Sequence, residues 1–374
     1  MGTTALVTWQ SLPLIEVATL QRGYDLPVQD RRPGGIPIFA ANGPVGMHSE
    51  AQCDGPGVVT GRSGTIGKVH YSSGSYWPLN TSLYVKDFHG NHPRFIYWLL
   101  SGLNLERFHE GSGVPTLNRN NVHGVKVPVP PLPEQRRIAD ILDRADALRA
   151  KRRAALARLD ELKLAIFIEM FGDSERNPMG WSIKPMQEVV RPDTIITYGI
   201  VQAGDEFPGG IPYIRTGDIK EGEILVEDLR RTNPEIAAKF QRSRVETGDI
   251  VMSIRATVGT TALVPPEING ANLTQGTAKI CPGPSTNRIF LLSYLRSQTA
   301  QQWILRQVKG ATFREITLRR LRELPVPVPP FELQLKFANR LSQVTSIVAM
   351  QRRTAEQSDL LFASLQDRAF RGAL

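Results

Sequence analysis

The longest regular pattern of apolar and polar positions in this chain occurs twice. Residues 127–171 read VPVPPLPEQRRIADILDRADALRAKRRAALARLDELKLAIFIEMF, and residues 326–370 read VPVPPFELQLKFANRLSQVTSIVAMQRRTAEQSDLLFASLQDRAF. The offset is a constant 199 positions. Each copy opens on a Pro-rich strip, 127–133 or 326–330. Prolines fix φ and push the preceding residue to extended geometry, so each strip predicts a stiff extended connector. Pro133 sits where a helix can begin, with Glu134 in the first turn, where the helix dipole favours a carboxylate. Nothing from 134 to 171 breaks a helix, and Gly172 is a stop signal. At 1.5 Å per residue this predicts a rod of roughly 57 Å.

One face of the first rod carries Ile141, Ala145, Leu148, Ala155, Leu159, Leu162 and Ile166, interrupted by Arg152. The second carries Leu341, Val344, Val348, Ala355, Phe362, Leu365 and Ala369, interrupted by Gln351 and Ser358. Steps of three and four in alternation are the pattern of a helix-pair seam. Arg152 and Gln351 hold the same repeat position, so a polar pair there would fix the register of two packed helices. The bland alternative is an ordinary long core helix in each domain.

The repeat continues outside the rods. Trp9, Pro13, Glu16 and Val17 match Trp181, Pro185, Glu188 and Val189, and Gly34-Gly35-Ile36-Pro37 matches Gly209-Gly210-Ile211-Pro212. Arg62-Ser63-Gly64-Thr65-Ile66-Gly67 resembles Arg255-Ala256-Thr257-Val258-Gly259, one residue shorter, and Asn80-Thr81-Ser82 echoes Asn272-Leu273-Thr274. Gly111 and Gly310, and Leu117 and Ile316, return to the 199 offset. Short β-type runs at 58–60, 68–71, 83–86, 250–254 and 260–264 lie between turn signals, and 95–105 and 289–305 read as helices. The order is globular unit, rod, globular unit, rod, with boundaries at 1–126, 127–173, 174–325 and 326–374. Each globular unit is expected to be a mixed α/β domain, so the fold class is α+β.

The 374 residues carry a net charge of +9, which favours a polyanionic partner. Two cysteines, Cys53 and Cys281, sit at unmatched repeat positions and give no disulfide framework. The absence of an 18-residue apolar run predicts no membrane helix, and a cytoplasmic chain is expected. Catalytic signals are poor. The segment from Gly61 to Lys68 resembles a phosphate loop, but Arg62 and Val69 stand where GxxxxGK[ST] needs Gly and a hydroxyl. His89 and His92 lack companion ligands at metal spacing. No Asn-Pro-Pro-aromatic or Asp-Pro-Pro-aromatic motif of a base methyltransferase occurs. Pro192-Asp193 with Asp218-Ile219-Lys220 imitates a nuclease metal site, which keeps a DNA-cleaving or DNA-modifying enzyme as one alternative. A coiled-coil assembly protein is another.

Nucleic-acid chemistry is better represented. Arg reads guanine, and Asn or Gln reads adenine, through paired hydrogen bonds, while Ser, Thr and Gly-exposed amides hold phosphates. Matched loops supply the candidates Asn42, His48, Arg62, Ser63, Thr65 and Lys68 in the first unit. In the second they supply Arg215, Thr216, Lys220, Arg255, Thr257, Thr260, Asn272, Thr274 and Gln275.

Two variable units alternating with two similar Pro-led helices resemble the specificity subunit of type I restriction-modification enzymes. The resemblance is carried by Val127-Pro128-Val129-Pro130-Pro131-Leu132-Pro133-Glu134-Gln135 and its helix, and by 326–330 with Gln334. The second copy departs at Phe331-Glu332-Leu333. The resemblance implies two target recognition domains, each reading half of a bipartite, non-palindromic DNA sequence. It implies two antiparallel coiled-coil helices that separate and join them with pseudo-two-fold repeat and set the gap. It also implies docking of two methyltransferase subunits that use S-adenosylmethionine, and two restriction-translocase subunits that use ATP and Mg2+. On that reading the chain itself holds no cofactor or metal and performs no chemistry.

Overall fold

In the computed structural model residues 9–110, 113–173, 175–310 and 314–374 are described. They form two compact units, Met1–Ala155 with Gln351–Leu374, and Leu156–Met350. Gly111 of the sequence repeat lies outside the described residues.

The first unit holds an antiparallel sheet in the order Thr19–Arg22, Ser82–Asp87, Gly57–Gly61, Val69–Ser72. Beside it in sequence, Ile36–Ala40 pairs antiparallel with Gly43–His48 and parallel with Trp77–Pro78. Helix Pro93–Gly102 buries Phe95, Ile96, Trp98, Leu99 and Leu100 against Leu20, Val58 and Leu83 of the larger sheet. The second unit repeats this order. Thr197–Tyr198, Thr277–Ile280, Ile250–Ser253 and Thr261–Leu263 form one sheet, and Arg230–Thr232, Ile211–Ile214 and Asn272–Leu273 the other. The expected single helix over 289–305 is two, Arg288–Arg296 and Gln298–Gln307. Ser297 divides them. Its extended backbone and a hydroxyl that accepts from Ala300 N–H make it an N-cap.

The Pro-rich strips are strands as well as connectors. Lys126–Val129 pairs with Gln10–Pro13, and Pro325–Val328 with Ser182–Pro185. Two-stranded ribbons have edges on both sides, which is where proline's missing N–H is tolerated. Each strip then enters a 40-residue helix, Leu132–Phe171 or Phe331–Phe370.

A buried glutamine fastens each strip. Gln135 Oε1 accepts from His92 N–H at 2.8 Å, and its Nε2 donates to Pro130 O at 2.9 Å and Asn91 Oδ1 at 2.7 Å. Gln334 Oε1 accepts from Asn287 N–H at 2.8 Å, and its Nε2 donates to Pro329 O at 2.8 Å and Ser285 O at 3.3 Å. His92 and Asn287 are the N-caps of Pro93–Gly102 and Arg288–Arg296. One amide therefore ties the strip, the long helix and the domain's core helix together in each unit.

Within each unit the two long helices pack antiparallel. In the first, Arg149 Nε donates to Asp359 at 2.6 Å and its guanidinium lies 4.2 Å from the Phe362 ring centre. Arg152 donates to Thr354 O at 3.1 Å and to the Ser358 hydroxyl. In the second, Phe167 and Phe171 meet Phe337 and Phe290 with ring centres 4.8–5.9 Å apart. Arg340 donates to Glu169 at 3.0 Å.

The inward stripe of the second helix takes in Leu341, Val344, Val348, Phe362 and Leu365, with Gln351 and Ala355 half-buried. On the first helix the stripe is turned from the expected one. Ile138, Leu142, Ala145, Arg149, Arg152, Leu156, Leu159 and Ile166 face in. Ile141 is on the flank, Ala155 is exposed, and Leu148 (58% exposed) and Leu162 (43%) lie outside. The cause is that apolar residues flank the seam on both sides, Leu148 and Leu162 on one and Leu164 and Ile168 on the other. The helix is apolar over more than one face, and the aliphatic stem and charge of Arg149 occupy a seam position that Leu148 was expected to fill. Arg152 pairs with Ser358 and Thr354, not with Gln351.

Candidate nucleic-acid interface

The duplicated units can be aligned through their hydrogen bonds. In the first, Gly61 is paired with Ser82, whose N–H and hydroxyl both donate to Leu79 O. In the second, Ser253 is paired with Thr277, whose N–H and hydroxyl both donate to Thr274 O. Gly61 thus corresponds to Ser253, and Asn80 to Gln275. The loops that follow Gly61 and Ser253 match without a gap. Gly64 (φ 89°) meets Ala256 (φ 56°), and Gly67 (φ 92°) meets Gly259 (φ 93°). Ser63 and Arg255 form matching bridges, to Thr116 and Glu315. Arg62 therefore corresponds to Ile254, not to Arg255. The expected pairing of the two arginines is out of register by one residue, and that of Asn80 with Asn272 by three. Shared residue type misled in both cases, while positive φ at Gly64 and Ala256 keeps the true register.

The candidates fall into three groups. His48 and Asn272 are buried and engaged in the fold. His48 Nδ1 accepts from Arg32 N–H at 3.0 Å and its ring edge meets Trp77. Asn272 Nδ2 donates to Ala237 O at 3.2 Å. Neither presents its polar atoms to a ligand.

A second group is neutralised or held locally. Arg215 grips Asp218 with two parallel bonds of 2.7 and 3.0 Å, and that carboxylate also accepts from Arg215 N–H. The Asp218 hydrogen bonds raise the Arg215 pKa above the usual guanidinium range. The same geometry removes Asp218 from any nuclease-like metal set. Arg255 is paired with Glu315 at 3.2 Å. The hydroxyls of Thr257, Thr260 and Thr274 bond to Ser253, Thr257 O and Ile214 O.

The third group is accessible. Asn42 is exposed at the hairpin tip before Gly43, and Lys68 and Lys220 are exposed. Ser63, Thr65, Thr216 and Gln275 are half-buried, and the Gln275 amide has no hydrogen-bond partner among the described residues. Arg62 is half-buried, with Nε donating to Asn80 O at 2.9 Å. The Thr65 carbonyl folds back so closely on Gly61 that a Cβ there would collide with it. Asp25 and Asn80 were not among the expected residues, yet Asn80 Nδ2 bonds the Asp25 carboxylate beside Arg62. The signal for Asn80 was the correct register. Nothing in the sequence marks Asp25.

Among the described residues no three of His, Cys, Asp and Glu gather as a metal site, and no helix is long and apolar enough to cross a membrane.

Two copies of one sheet-and-helix unit, each packed on antiparallel long helices and each carrying polar loops at matched positions, define a duplicated recognition scaffold. The model of the type I restriction modification DNA specificity domain matches residues 7–158 and 188–357, and the chain belongs to that family. It is 28% identical over 312 residues to the type I restriction enzyme EcoBI specificity subunit of Escherichia coli, covering 75% of this chain and 65% of the relative. The matched part is thus a little under two thirds of that relative's length. A putative type I restriction enzyme specificity subunit of Haemophilus influenzae, S.HindORF215P, is 22% identical over 91% of this chain and 88% of its own length. A crystal structure of the S subunit of a type I restriction-modification system from M. genitalium shares the fold, with a TM-score of 0.60, 14% identity and coverage of 99% and 98%. A chain from a structural study of assembly and conformational transition of the type I system also has a TM-score of 0.60, with 19% identity and coverage of 98% and 99%.

Proposed function

We propose that this chain is the DNA-reading subunit of a cytoplasmic type I restriction-modification assembly, each unit taking one half of a bipartite, non-palindromic target. The observation that carries this reading is the duplication: strand order and turn geometry agree between the units, while side chains at equivalent loop positions differ. Two readers with one architecture and unlike chemistry suit a split target with unequal halves. Family membership and the net charge of +9 support it.

The paired helices serve as the spacer that sets the unspecified gap. Their outward apolar residues, Leu148, Leu162, Leu164 and Ile168, suit the docking of methyltransferase subunits. Two such subunits supply S-adenosylmethionine chemistry, and two restriction-translocase subunits supply ATP and Mg2+ chemistry. The chain carries no cofactor and takes no part in bond making. Genome-wide methylation mapping in a host that expresses this chain with its methyltransferase tests the reading. One split motif that disappears with this chain is expected. A continuous motif, or methylation independent of the chain, contradicts it.

A further inference from the structure

We propose that Arg62 is a specificity-determining residue that reads a guanine in the half-site of the first unit, with Asn80 and Asp25 as positioning residues. The proposal rests on the DNA-reading role above. The Arg62 backbone is fixed on both sides, its N–H to Thr81 O at 2.9 Å and its carbonyl to Leu117 N–H at 2.7 Å. Its Nε is fixed to Asn80 O at 2.9 Å, and Asn80 is in turn tied to Asp25.

What is left over is the fork. A guanidinium has five N–H donors, and one is used here. Both terminal nitrogens are without a partner among the described residues, and no carboxylate lies in ion-pair range. Arg215 and Arg255 of the second unit are instead closed off by Asp218 and Glu315. Guanine offers O6 and N7 in the major groove, which two parallel N–H groups match. A side chain already held at Nε gives up less rotamer freedom on binding.

The second unit lacks this device. Parallel bridges Tyr24–Leu79 and Ile200–Thr274 place Val201 at the position of Asp25. The set Asp25, Asn80 and Arg62 is therefore replaced by Val201, Gln275 and Ile254, and Ile254 is buried. The contact belongs to one half-site alone.

The test is methylation-motif mapping for wild type, Arg62→Ala, Arg62→Lys and Arg62→Gln, each co-expressed with the methyltransferase. Binding of the purified complexes to matched and mismatched duplexes is measured at several salt concentrations. In the wild type one half-motif should hold a required guanine. In Arg62→Ala, discrimination at that base pair should fall roughly 10- to 100-fold, while the other half-motif and the gap stay the same. Arg62→Lys keeps the charge without the fork and should also relax that position. Arg62→Gln keeps a donor for Asn80 O, so it covers the case in which alanine disturbs the turn. Uniform weakening at every position with a shallower salt dependence would make Arg62 a phosphate contact and overturn the proposal. An unchanged motif in all three variants would overturn it as well. A wild type with no split motif would instead overturn the DNA-reading role itself.

Discussion

Among single residues, the histidines make the sharpest difference between the units: all six lie between His48 and His123, in the first. His123 is buried, and its Nε2 accepts from Leu20 N–H at 3.0 Å, which requires a neutral ring. Burial, helped by the charge of Arg119, lowers its pKa. Burial also lowers those of His70, beside Lys68, and His92, beside Arg136. Above about pH 6.5 these rings are neutral in folded and unfolded chain alike and give no pH dependence. Below it the unfolded chain takes up protons that the fold resists. Stability of the first unit should therefore decline as pH falls from about 6.5 until the folded rings themselves protonate. The urea midpoint measured from pH 7.5 to pH 5 should drop, and drop less in His123→Gln, which keeps an acceptor. A midpoint that is flat across this range would show that the rings do not stay neutral.

For the secondary-structure elements, pattern made the long helices legible and hid part of their packing. Their length, their Pro-led starts and the stop at Gly172 (φ 79°) are local properties, written in residue type. The seam is a tertiary property. Leu148 and Leu162 are as apolar as Leu142 and Leu156, and only the partner helix decides which row is covered. The same distinction holds at the interface. The turns after Gly61 and Ser253 could be located by their Gly and Thr, but Arg255 and Arg215 could not be discounted before Glu315 and Asp218 were seen beside them. Side-chain hydrogen bonds between distant segments leave little trace in a single sequence. Gln334→Leu tests one of them. It strands Asn287 N–H and the carbonyls of Ser285 and Pro329, and should cost on the order of 3 kcal/mol in urea unfolding. A loss under about 0.5 kcal/mol would mean that the amide is not a fastening.

On the scale of the whole molecule, the proposed spacer makes a prediction about length. Seven residues inserted near Ala154 and near Ala355 add two helical turns, about 10 Å, and return the seam to the same face. Both half-motifs should survive while the unspecified gap between them widens by about three base pairs, since the axial rise per pair is about 3.4 Å. Methylation mapping of the insertion variant reads this directly. An unchanged gap with altered half-motifs would remove the spacer role. The two glutamine fastenings carry a further implication. Gln334 grips main-chain atoms throughout, and Gln135 does so at His92 and Pro130. Main-chain atoms are the same whatever side chains surround them. The mounting is thus blind to what it carries, and loops around Arg62 or Gln275 are at liberty to drift, or to be exchanged wholesale for another lineage's, without loosening the domain from its helix.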